Sequence, residues 1–153
     1  MTLRTRLKEP LAGSPAPSLL VVTDSYVGTT LAADYESVAD VGLVTDSERV
    51  AKRAPDGVRT DVGDLTAPET LAAGSEATVA VVAVGRDRRA LLVTQLLRTQ
   101  FDIGSVVVLL NDPDRHDVVD DVATHVVCGS SCLSGELGAA LEQTLPEPSE
   151  SHS

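Results

Sequence analysis

The stretch Ser18-Leu19-Leu20-Val21-Val22-Thr23-Asp24-Ser25-Tyr26-Val27-Gly28 decides the fold. It reads as a short buried strand, a tight turn and the opening of a helix. That junction is where a dinucleotide-binding fold carries its G-x-G-x-x-G fingerprint. Gly28 stands at the third glycine position, while Thr23 and Ser25 stand at the first two. The third glycine serves close helix–strand packing; the first two serve the turn and the approach of a pyrophosphate. The packing part of the pattern is therefore present and the ligand part is altered.

Working outward, five more apolar runs read as strands: Val41–Val44, Arg59–Val62, Thr78–Val84, Ser105–Leu110 and His125–Cys128. Most are almost continuously apolar rather than alternating, as expected of parallel strands covered on both faces. Segments with helical periodicity or helix-start chemistry lie between them. Such alternation calls for an α/β fold, and right-handed crossovers make it a doubly wound, Rossmann-like parallel sheet.

Helix starts support this placement. Thr45-Asp46-Ser47-Glu48 and Thr66-Ala67-Pro68-Glu69 each fit a capping box, the second with proline in the first turn. Asn111-Asp112-Pro113 sets a capping side chain before a proline. The strongest helical pattern is Asp87–Gln100, with Leu91, Leu92 and Leu96 as its apolar anchors. A last helix over about Leu133–Leu145 carries Leu133, Leu137, Ala140, Leu141 and Leu145 on one stripe. Residues 18–145 are expected to form one domain. Residues 1–17 and 146–153 are expected to be a disordered N-terminal segment and tail.

The chain has 153 residues, 23 acidic against 12 basic, and a formal net charge of −11. Its basic residues are ten arginines and two lysines, Lys8 and Lys52. An acidic, lysine-poor surface stays hydrated at high salt, so a halophilic source is expected. The charge argues against nucleic acid as a partner, because no broad basic face exists to release phosphate counterions. Arg86, Arg88 and Arg89 form one small basic cluster. No apolar run reaches the roughly 18 residues that suggest a bilayer span. The N-terminus has no apolar signal-peptide core, so a cytoplasmic location without membrane insertion is expected.

Chemistry-bearing residues are sparse. Cys128 and Cys132 cannot complete a four-ligand zinc site alone; they read as small apolar residues at a strand end and a helix start, with a redox pair as the alternative. His116, His125 and His152 are scattered. Gly129-Ser130-Ser131 is not a nucleophile elbow. Asp112, Asp114, Asp117, Asp120 and Asp121 read as the solvated face of an acid-rich helix rather than a metal cage. No catalytic residue and no metal ligand can be named.

Four pieces together resemble the RCK or TrkA-N family, the nucleotide-binding domains of K⁺-transport regulators. They are Leu20–Gly28 with Leu31-Ala32; Leu43-Val44-Thr45-Asp46 with Glu48-Arg49-Val50; the run from Val62-Gly63-Asp64-Leu65 through Thr66-Ala67-Pro68-Glu69-Thr70-Leu71; and Asn111-Asp112-Pro113. The resemblance covers about residues 18–145. It implies a sheet of order 3-2-1-4-5-6. It also implies a cytoplasmic, non-catalytic regulatory module, a homodimer or higher oligomer, beside a K⁺ channel or transporter membrane subunit. The cofactor implied is NAD(H), with ATP or ADP as the alternative. A scaffold that binds no nucleotide and acts through protein contacts is the runner-up, and an NAD(P)-dependent oxidoreductase fragment comes third.

The resemblance places the site on named residues. Ser25, Tyr26, Val27 and Gly28 would face the phosphates, with amides at the helix start offered to them. Asp46, 18 residues after Gly28, or Thr45 in its place, would hold the ribose hydroxyls. Gly63, Asp64 and Leu65 would lie near the adenine, and Val84 and Gly85 near the nicotinamide side. Two positions depart from the family pattern. Arg89-Ala90 stands where an Asn is frequent, and Leu109-Leu110 stands where a basic residue is frequent.

Overall fold

The computed structural model describes residues 17–115 and 123–145. Six strands form one parallel sheet: β1 (Ser18–Thr23), β2 (Asp40–Thr45), β3 (Arg59–Val62), β4 (Val79–Ala83), β5 (Ser105–Leu110) and β6 (His125–Cys128). Their order is 3-2-1-4-5-6, as the TrkA-N resemblance implies, in the doubly wound arrangement expected from the sequence. Each strand lies within one residue of its expected bounds. Five helices accompany them: α1 (Tyr26–Tyr35), α2 (Glu48–Ala51), α3 (Pro68–Leu71), α4 (Asp87–Thr99) and α5 (Gly129–Thr144). Short 3₁₀ turns occupy Ala72–Gly74 and Pro113–Arg115. The acid-rich helix expected after Pro113 falls mostly on residues 116–122, outside the described residues, as do residues 1–16 and 146–153. Pro17 is tied down, its carbonyl accepting from the Asp40 amide at 2.8 Å.

The sheet has two different faces. On one, Leu20, Val22, Val82, Val106, Val108 and Leu110 pack with Leu71 of α3 and Ala90, Val93 and Leu97 of α4. On the other, Val21, Val41 and Leu43 pack under Ala32 of α1. β1 and β2 are therefore covered on both sides. β5 is not: its even residues are buried and its odd residues only half-buried. The expectation of two covered faces holds for β1 and β2 and not for the edge strand β3 or for β5.

Local details correct several expectations. The buried stripe of α4 is Ala90, Val93, Thr94 and Leu97, not Leu91, Leu92 and Leu96. Leu91 and Leu96 flank the core, and Leu92 is exposed. Two overlapping stripes fit helical spacing here, and the sheet takes the one with smaller side chains. Thr94 is accommodated because its hydroxyl donates to the Ala90 carbonyl at 2.7 Å. Thr45 is not a helix cap: β2 extends through it, and its Oγ1 accepts from the Ser47 amide. Ser47 is the cap, accepting from the Val50 amide. Thr66 is likewise not a cap; α3 starts after Ala67, with Pro68 in its first turn as expected. Cys132 lies exposed in the first turn of α5, and Cys128 is half-buried at the end of β6. The leucine stripe of α5 faces solvent, with Leu133, Leu137, Leu141 and Leu145 at 63, 65, 53 and 61% exposure.

Candidate functional site

Thr23, Thr45 and Ala83 lie opposite one another in register, so β1, β2 and β4 end at one level. The chain reverses direction across the sheet between β1 and β4, and a crevice at the carboxyl ends is the standard ligand position in such folds. The loops that leave these strand ends build the site.

Thr23 turns away from that crevice. It is fully buried, and its Oγ1 lies 2.9 Å from the Ala83 carbonyl and accepts from the Ser25 amide at 3.2 Å. A β-carbon on Gly28 would meet Thr23 Cγ2 at 2.1 Å, so glycine is required where α1 crosses β1. Ser25 has extended backbone (φ −144°) and makes no capping bond with its side chain. Neither substituted position needs positive φ: among the described non-glycine residues only Asp102 has it. The loop therefore keeps its shape without the first two glycines. The amides of Tyr26 and Val27, first in α1, point out of the helix start. The Gly28 amide, expected to be free with them, instead donates to the Ser25 carbonyl at 3.2 Å. The Tyr26 ring is exposed, with the Arg53 guanidinium 5.0 Å from its centroid.

Three carboxylates gather here. Asp24 accepts from the Gly85 amide through both oxygens, at 3.1 and 3.3 Å, linking the β1 and β4 loops. Asp46 stands exposed beyond β2. Asp64, beyond β3, accepts from the Thr66 amide at 3.0 Å and its hydroxyl at 2.8 Å. Those two bonds hold the Asp64 carboxyl below its ordinary pKa, with a smaller contribution from Arg89. The guanidinium of Arg89, from α4, bridges two of the acids. Nη1 lies 3.5 Å from Asp24, and Nη2 is hydrogen-bonded to Asp46.

The structure thus brings Asp24, Ser25, Tyr26, Asp46, Asp64 and Gly85 to one edge around Arg89. It does not present Thr45, Leu65 or Val84 to that edge: all three side chains are fully buried. They offer only backbone there, and of the Thr45–Asp46 pair only Asp46 has an exposed carboxylate. Gly63 packs on α3, where a β-carbon would meet Thr70 Oγ1 at 2.7 Å. Arg89 is the residue that motif reading missed. The signal was present, as the last of three clustered arginines and as a departure from the family's frequent Asn.

The Asn111-Asp112-Pro113 motif braces the adjoining strand ends. The Asp87 carboxylate accepts from the Asn111 and Asp112 amides, both at 2.8 Å. The Asn111 side chain donates to the Gly85 carbonyl at 2.9 Å. Asp112 accepts from the Asp114 amide, which makes it the capping side chain expected before Pro113. Among the described residues, no group of three or more His, Cys, Asp or Glu could hold a metal ion. No described helix is long and apolar enough to cross a membrane.

Several solved structures share this architecture. The NAD(P)-binding domain of an exopolyphosphatase-related protein from Archaeoglobus fulgidus aligns with a TM-score of 0.68 and 16% identity, covering 82% of this chain and 97% of that one. The TrkA-N domain of inner membrane protein ybaL from Escherichia coli aligns at 0.65 and 19%, covering 88% and 100%. The GsuK channel bound to NAD aligns at 0.61 and 19%, covering 79% of this chain and 22% of that one. At these identities the likeness speaks for the fold alone. Among curated proteins no significant relative is found. The TrkA-N family model matches residues 20–129, most of the chain, so the chain belongs to the TrkA-N domain family.

Proposed function

We propose that this chain is a non-catalytic, cytoplasmic nucleotide-sensing module of K⁺ transport that binds NAD(H). The observation that carries the reading is the position of Asp46, a carboxylate just beyond β2 that Arg89 ties to Asp24 in the loop before the open start of α1. That pairing of ribose anchor and amide cradle is what a dinucleotide needs at a switch point. Family membership and the fold likeness to the NAD-bound GsuK channel support it. K⁺ transport and assembly with identical chains beside a membrane subunit are what the TrkA-N resemblance implies. The acidic surface suits a high-salt cell.

The charge at the crevice sets how binding proceeds. Asp24, Asp46 and Asp64 against Arg89 leave two uncompensated negative charges, which repel a diphosphate. In this reading the ribose hydroxyls replace Arg89 on Asp46. Arg89 then turns to the phosphates, where a guanidinium pairs well. Occupancy rearranges a contact joining β1, β2 and α4, and the partner subunit feels the change.

The test is thermal unfolding at high KCl with NADH, NAD, ATP or ADP. A ligand at one hundred times its dissociation constant adds about 2.7 kcal/mol, several degrees in Tm. Asp46→Ala and Arg89→Ala should each weaken binding and leave the fold intact. A second reading has one observation in its favour: Arg89 already satisfies Asp24 and Asp46, as in a scaffold without ligand. The absence of a shift with any of the four nucleotides decides for that scaffold. ATP or ADP alone giving a shift makes the ligand an adenine nucleotide, and turnover of a hydride donor ends the non-catalytic reading.

A further inference from the structure

α1 opens beside two surfaces of opposite character. Val27 lines an apolar groove of about 400 Å³, walled also by Val107 and Leu109 of β5. No charged side chain lines that groove, so it offers nothing to an anion. Tyr26, one residue earlier, is not part of its wall. The Tyr26 ring is 41% exposed, and it carries a cation: the Arg53 guanidinium stands 5.0 Å from the ring centroid.

A short, well-anchored run places Arg53. Ser47 caps α2, and Val50 is its buried residue. Helical hydrogen bonds then continue past α2: the Lys52 amide donates to the Glu48 carbonyl and the Arg53 amide to the Val50 carbonyl, both at 3.0 Å. The backbone at Arg53 is therefore held while its side chain is exposed. Among the described residues, no carboxylate lies within ion-pair distance of it. Arg89, by contrast, is already taken by Asp24 and Asp46. An aromatic face attracts the charge of a guanidinium and leaves its N–H groups free to donate elsewhere. The ring that holds Arg53 belongs to the residue whose amide opens α1, so cation and amide cradle are one side chain's length apart.

We infer that Arg53 is a phosphate contact of the nucleotide site and that the Tyr26 ring is its positioning residue. The contact rests on the nucleotide reading above. Its ligand class is a nucleoside diphosphate, alone or as half of a dinucleotide, since both carry the same two phosphates. A diphosphate on the Tyr26 and Val27 amides lies between two guanidiniums, Arg53 after α2 and Arg89 on α4. Asp24, Asp46 and Asp64 against Arg89 leave two negative charges, and Arg53 offsets one of them without first leaving a carboxylate. Arg53 is thus the first cation that the phosphates meet. Arg89 is the second, released when the ribose takes Asp46.

Isothermal titration of the full chain with ADP and with NADH reads the contact. Arg53→Gln should weaken binding about tenfold or more, the loss of a charged hydrogen bond. Tyr26→Ala should lose part of that affinity, and Tyr26→Phe, which keeps the ring, should restore it. Once Arg53→Gln is present, Tyr26→Ala should cost little more; full additivity would show that the ring does not place Arg53. The gap between wild type and Arg53→Gln should narrow from about 0.1 to about 1 M KCl, because salt screens an exposed charge contact. A gap that salt leaves constant means that Arg53 acts by packing, and overturns the phosphate contact. If Asp46→Ala weakens binding while Arg53→Gln stays within about twofold of wild type, the inference is wrong and the nucleotide reading stands. If neither nucleotide binds wild type, that reading fails and Arg53 has no phosphate to hold.

Discussion

Leu109 and Leu110 follow one another on β5 and face opposite sides of the sheet. Leu110 is fully buried between the sheet and α4, whereas Leu109 is half-buried in the wall of the open groove. The same residue type on the same strand thus has two environments. One face is completed by the chain's own helices. The other is apolar in sequence and open in this chain.

The largest effects should separate these faces. Leu110→Ala removes a fully packed side chain and is expected to cost about 2–5 kcal/mol at any protein concentration. Leu109→Ala should cost under about 1.5 kcal/mol in dilute solution, since part of its surface is already wet. Its cost should rise with concentration if a second copy covers the groove. Urea unfolding of both variants at two concentrations reads this out. Equal, concentration-independent losses would erase the distinction between the faces.

The β1–α1 crossing sharpens the comparison from the closed half. Gly28→Ala sets a methyl 2.1 Å from Thr23 Cγ2, and Thr23 is held by its contact with Ala83. A loss of about 1–3 kcal/mol is expected. Thr23→Gly in the same chain should recover most of it, because the obstructing atoms belong to that side chain. In a double-mutant cycle the two sites should therefore couple strongly. The threonine at the first fingerprint position makes the glycine at the third obligatory. Additive effects would show that the backbone, not Thr23, fills the space.

These residues also show what could be read in advance. All six strands and the Gly28 crossing are legible in local apolar runs and one fingerprint position, whereas the strand order is legible only through the TrkA-N resemblance. The stripe of α4 was misassigned because two stripes share its period. Both capping boxes failed at Thr45 and Thr66 because each hydroxyl serves the turn before its helix. At the candidate site, the resemblance names Asp46, Asp64 and Gly85 but not the side chains that join them, Arg89 and Asp24. Arg89 meets Asp46 across 43 residues of sequence, and Asp24 meets Gly85 across 61. No periodicity or local spacing encodes such pairings.

The brace behind the crevice should give a smaller effect. Asp87→Ala leaves the Asn111 and Asp112 amides without their acceptor. A loss of about 1 kcal/mol is expected. Hydrogen exchange should quicken at the ends of β4 and β5 while β1 and β2 stay protected. Uniform quickening would mean that the sheet opens as one unit, and that its halves differ in cover but not in cooperativity.

The smallest effect belongs to Asp64, on the β3 loop. Its folded pKa is depressed below the ordinary 3.8, first by the Thr66 amide, then by the Thr66 hydroxyl, and only last by Arg89. A depressed carboxyl contributes stability above its unfolded pKa and loses it as pH falls through the folded value. Wild type should therefore lose stability relative to Asp64→Asn as pH falls below about 4, and the gap should be constant above that. Because hydrogen bonds dominate, 1 M KCl should leave most of the depression in place, read as the carboxyl midpoint by NMR. If salt restores the midpoint to 3.8, Arg89 is the main cause. The guanidinium would then bind all three carboxylates as one cluster, and the crevice would be held shut by charge rather than by the turn chemistry of each loop.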